Sequence, residues 1–141
     1  MRRSATEIVF VIDEDAGPHV ADGIRDAGGN ACLLTDKVPR GTPDVAWIPR
    51  AREWGSAIIT RDIAMRRNPA EQQALASCGL HVFILRANGL RLDQLRELTK
   101  EHYPTMLRYV RTRTTPFLAH VSRAGLNIRV GGERSSAIKR Q

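Results

Sequence analysis

Short apolar runs alternate along this chain with apolar positions at helical spacing. Residues 7–12, built on Ile8-Val9-Phe10-Val11-Ile12, are continuous, β-branched and too short for a helix, which predicts a buried strand. Gly17-Pro18 then opens a helix on Val20, Ile24 and Ala27, and Gly28-Gly29 ends it. Residues 31–35 predict a second strand, followed by a loop from Lys37 to Pro43 with two prolines and a glycine. Thr42 or Asp44 is the expected cap of the next helix, carried by Val45, Trp47, Ile48, Ala51 and Trp54 to a stop at Gly55. Pro49 is expected to kink or restart it. Residues 56–60 predict the third strand and 80–85 the fourth, with a helix between them from near Pro69 to before Gly79.

Beyond Gly89, Leu92, Leu95 and Leu98 mark a helix, and the pattern predicts a restart at Pro104 through Met106, Leu107 and Val110. Residues 116–130 change character. Phe117-Leu118-Ala119-His120-Val121 and Leu126-Asn127-Ile128-Arg129-Val130 flank Arg123-Ala124-Gly125, which predicts a β-hairpin. Alternating strands and helices predict an α/β fold with a central, mainly parallel sheet and right-handed crossovers. Residues 1–130 are expected to form one domain, and residues 131–141 a basic, disordered tail.

Composition narrows the class. At 141 residues and 42% hydrophobic content the chain is long enough to bury a core, and no apolar stretch approaches the ~18 residues of a membrane span. Met1-Arg2-Arg3-Ser4 leads straight into the first strand without a small-residue cleavage site. Cys32 and Cys78 form no metal-like pair and read as buried hydrophobes, so a reducing cytoplasm is the expected location. The net charge of +7 is uneven: residues 1–85 hold 10 Lys+Arg against 11 Asp+Glu, and residues 86–141 hold 12 against 4. An acidic front and a basic back suit a protein that holds a cation and attracts a polyanion, although arginine richness alone is weak evidence.

The acids supply the chemistry. The first strand ends in Asp13-Glu14-Asp15, Asp44 heads the helix after Gly41-Thr42-Pro43, and Asp62 follows Ala57-Ile58-Ile59-Thr60-Arg61. Each taken singly is an ordinary cap or turn residue. If the two strands are parallel neighbours, Asp13 and Asp62 meet at the carboxyl edge of the sheet, where open α/β sheets bind ligands. Crowded carboxylates repel, and a hard divalent cation resolves the repulsion. Thr60 is placed to hydrogen-bond a ligating carboxylate, or is simply a strand residue. Arg61, Arg66 and Arg67 flank the cluster and are candidate phosphate contacts, Arg61 and Arg66 foremost. His19, His81, His102 and His120 show no ligand spacing, and Trp47 and Trp54 fall at a helical interval that suits a core.

An Asp after the first strand, Pro43-Asp44 heading a helix, and Ile58-Ile59-Thr60-x-Asp62 together resemble the PIN-like domains over roughly residues 7–90, including the VapC-type ribonuclease toxins of bacterial toxin–antitoxin pairs. The resemblance implies a three-layer fold and Mg²⁺ or Mn²⁺ held by Asp13, Asp44 and Asp62, with Thr60 as the hydroxyl residue before the last acid. It also implies an endoribonuclease, a cognate antitoxin protein as partner, and a homodimer. Ile63-Ala64-Met65 stands where relatives often carry another acid, so the fourth carboxylate is either missing or supplied by Glu14 or Asp15. Two other readings are an inactive PIN-like protein that only binds RNA and a receiver-like phospho-acceptor domain. Against the receiver stands Arg86, where that family has a lysine.

Overall fold

A computed structural model describes residues 8–61 and 68–130. Six strands form one sheet: β1 (Val9–Ile12), β2 (Asn30–Leu33), β3 (Ala57–Thr60), β4 (His81–Leu85), β5 (Phe117–Ser122) and β6 (Gly125–Val130). Their order is β2-β1-β3-β4-β5-β6. All neighbours are parallel except β5 and β6, which form the expected antiparallel hairpin. The helices are α1 (Gly17–Asp26), α2 (Asp44–Trp47), α3 (Pro69–Ser77) and α4 (Leu92–Thr112).

Parallel strands covered on both faces lack an in–out polar alternation, and here successive side chains feed two separate cores. Phe10, Ile12, Ile59, Phe83, Leu85, Phe117 and Ala119 meet Val20 and Ile24 of α1 and Leu95, Leu98, Tyr103 and Met106 of α4. Val11, Ile58, Val82, Ile84 and Leu118 meet Trp47, Ile48, Ala51 and Leu75 on the other side. The result is a three-layer α/β/α arrangement, as the sequence predicts. The two helices over the first core approach closely at Gly23, where a Cβ would lie 2.5 Å from the Arg96 carbonyl oxygen.

Several boundaries differ from the sequence reading. Residues 34–36 turn into a 3₁₀ segment instead of extending β2. Proline at position 49 converts the helix begun at Asp44 into a 3₁₀ segment, Ile48–Glu53, the restart that Pro49 implies. Pro43, with its φ fixed at −60°, takes the cap position of α2 instead of Thr42 or Asp44. The Thr42 hydroxyl donates to the Pro39 carbonyl, 2.6 Å away. At Pro104 no restart occurs: α4 is one helix of 21 residues. Both Pro104 and Lys100 are exposed, so the proline lies on the outer side of the helix. Residues 131–141 lie outside the described residues, as do Asp62 and Arg66.

Candidate active site at the switch point of the sheet

After β1 the chain crosses to β2 on one side, and it later enters β3 on the other. Connections leaving in opposite directions open a crevice at the carboxyl ends of β1 and β3. Asp13 and Thr60 occupy that point. The Asp13 amide donates to the Ile59 carbonyl at 2.9 Å, which extends the ladder one step and sets Asp13 level with Thr60.

The carboxylate of Asp13 is buried, at 6% exposure, and is held at both oxygens. Oδ1 accepts the Glu14 amide at 2.7 Å, and Oδ2 accepts the Thr60 hydroxyl at 2.8 Å. Burial, then the charge of Asp15 and more weakly that of Asp44, push the Asp13 carboxyl up to about 7, against the lowering effect of its two hydrogen bonds. Asp15 turns back toward the same place. Its Oδ1 lies 3.3 Å from the Thr60 hydroxyl and accepts the Arg61 amide at 3.1 Å. Asp44 stands in the first turn of α2, where the Trp47 indole donates to its Oδ1 at 2.9 Å. Trp47 is itself 1% exposed and fixed in the second core, so it positions that acid.

Glu14 goes elsewhere. Its oxygens take the Gly41 amide at 3.1 Å and the Arg40 guanidinium at 3.3 Å, which ties down the loop before α2. Of the two acids after Asp13, the turn therefore brings Asp15 to Thr60. No periodicity in the sequence separates these two, because the reversal at residues 13–17, closed by the Ala16 and Gly17 amides on the Asp13 carbonyl, decides it. Arg61 begins at the site and ends beside β4, with Nη2 3.5 Å from the Ala87 carbonyl.

The donor set is all oxygen, and burial together with repulsion from Asp15 keeps Asp13 protonated unusually far up the pH scale, which fits a hard divalent cation. Among the described residues no three His, Cys, Asp or Glu side chains close on one point.

The model of a PIN like domain matches residues 8–87, from β1 to just past β4. The chain belongs to the PIN-like domain family. PIN domains are generally nucleases, and the match covers Asp13, Asp44, Thr60 and Asp62. It speaks against the receiver-like alternative. No curated protein and no solved structure matches the chain significantly. Among the described residues of this PIN-like domain no helix is long and apolar enough to cross a membrane.

Proposed function

We propose that this PIN-like domain is a metal-dependent endoribonuclease, the toxin of a type II toxin–antitoxin pair. The observation that carries the proposal is the Asp13 carboxylate, raised to about 7 by its burial and then by its acidic neighbours, at the switch point of the sheet. Such a group, in a crevice and perturbed by burial and specific charges, is an active-site candidate on physical grounds.

Asp13, Asp44 and Asp62 are the proposed ligands of Mg²⁺ or Mn²⁺, with Asp15 in place to join them. A bound ion supplies an activated water and neutralises charge on the scissile phosphate. Thr60 holds Asp13 Oδ2, so that Oδ1 and Oδ2 keep one orientation. The Arg61 amide does the same for Asp15. The Arg61 and Arg66 guanidinium groups are the proposed contacts of the substrate phosphate. Basic residues in the second half of the chain draw the RNA by non-specific attraction. In this reading an antitoxin covers the acidic crevice, and the active form is a cytoplasmic homodimer.

The test is incubation of a total RNA pool with purified protein in Mg²⁺, Mn²⁺ or EDTA, with Asp13→Asn alongside. Metal-dependent cutting, lost in the variant, is the expected result. RNA binding without cutting in any metal would move the assignment to the inactive RNA-binding alternative.

A further inference from the structure

The sheet carries a second chemically distinctive pair on the same rim. Thr60, Ile84 and His120 are level across β3, β4 and β5. Side chains two residues apart share a face, so Arg86 follows Ile84 on the side of Thr60 and His120. Its amide continues the ladder by donating to the Val121 carbonyl at 2.7 Å. The Arg86 Nη1 lies 3.2 Å from the His120 Nδ1. A guanidinium only donates, so Nδ1 is the acceptor and carries no proton.

That contact differs from those of the other well-held arginines. Arg25, Arg40, Arg50, Arg91 and Arg96 each face an aspartate or glutamate, which cancels their charge. Among the described residues Arg86 makes no such ion pair. His120, 8% exposed, fixes the fork without neutralising it, while Arg86 itself is exposed. Arg61 approaches the same strand end through the Ala87 carbonyl, 3.5 Å away. An exposed guanidinium whose charge no carboxylate cancels favours an anion beside it. The rim distance from Asp13 on β1 to Arg86 on β4 is two strand spacings, roughly 10 Å.

We propose that Arg86, oriented by His120, is a phosphate-binding position for a single RNA strand, set beside the carboxylate site and engaging a nucleotide next to the one cleaved. This rests on the ribonuclease reading for the identity of the strand and for the cleaved nucleotide beside it. Arg86 binds the phosphate through the donors that His120 leaves available, and His120 is a positioning residue that keeps the fork aimed.

The test is binding of a labelled single-stranded RNA in EDTA across a salt series, with cleavage in Mg²⁺ measured in parallel. Arg86→Gln is expected to weaken binding about tenfold. It should also flatten the slope of log K against log salt by about 0.7. Arg86→Lys keeps the slope, since it keeps the charge. His120→Phe weakens binding several-fold with the slope intact, and His120→Asn, whose amide oxygen can replace Nδ1, restores it. Thermal melting confirms that each variant is folded. If Arg86→Gln binds with unchanged affinity and slope while the wild type cuts RNA, the subsite is wrong and the ribonuclease stands. If the wild type cuts nothing but Arg86→Gln weakens binding as stated, the subsite stands alone. A wild type that binds no RNA overturns both.

Discussion

The Thr60 hydroxyl lies 2.8 Å from Asp13 Oδ2 and 3.3 Å from Asp15 Oδ1, so a single proton serves two carboxylates on different strand ends. Thr60→Val keeps the shape and deletes that proton. It is expected to lower metal-dependent cleavage about 10–100-fold, the usual cost of losing a group that orients a metal ligand. Without the bond that lowers it, the Asp13 carboxyl rises further, so the pH of half-maximal rate moves upward. Thr60→Ser restores both. Unchanged rate and pH profile in the valine variant would remove Thr60 from the site.

Ionised Asp13 destabilises the metal-free fold. Its carboxyl is raised from 3.8 to about 7, so the native state holds more protons than the unfolded chain between those values. Its contribution is fully present below 3.8 and is lost as pH rises through 7. Asp13→Asn stays neutral throughout. In EDTA it is expected to exceed the wild type by about 4 kcal/mol near pH 8, a gain that vanishes toward pH 4. Urea unfolding at both pH values checks this, and a pH-independent difference between the two proteins would contradict it.

The two acids after Asp13 are separable. Asp15 shares Thr60 with Asp13, while Glu14 serves the loop at Arg40 and Gly41. Asp15→Asn is expected to lower Mn²⁺ affinity about tenfold or more. Glu14→Gln should change it less than twofold, because its neutral amide oxygen still accepts the Gly41 amide. Titration calorimetry with Mn²⁺ distinguishes the pair, and equal losses would restore Glu14 to the ligand set.

Proline in the middle of α4 is tolerated, not required. The side chain is exposed, and the helix continues for eight further residues to Thr112. Pro104→Ala supplies the missing N–H and is expected to stabilise the protein by about 1–2 kcal/mol. Denaturant unfolding reads this directly.

The packing of α1 on α4 sets the opposite limit. A methyl group at position 23 would lie 2.5 Å from the Arg96 carbonyl oxygen and 2.8 Å from the Thr99 Cβ. Gly23→Ala is therefore expected to cost about 2–3 kcal/mol, measured in the same way.

Much of the architecture is legible in the sequence because strands buried on both faces must be continuous apolar runs. Val9–Ile12, Ala57–Thr60 and His81–Leu85 all read that way, and the hairpin was marked by its Gly125 turn. Pro104 misled because it stands on the exposed side of a long helix, whose packed face at Tyr103 and Met106 carries the helix past it. At the site, the register of β1 and β3 made Asp13 and Thr60 predictable neighbours. The choice of Asp15 over Glu14 was not, since the reversal at residues 13–17 sets side-chain direction with no period to read. Arg86 and His120, 34 residues apart, are joined only by the β4–β5 register, which local patterning does not reveal.

One consequence follows from the direction of β6. Running against its neighbours, it returns the chain to the level of Leu118, near the start of β5, when it reaches Val130. Whatever is appended after that residue sets out from the floor of the sheet, while Asp13 and Thr60 lie on its roof. A reporter or immobilisation tag fused there is anchored on the side away from the crevice, leaving its mouth clear for surface-based binding assays.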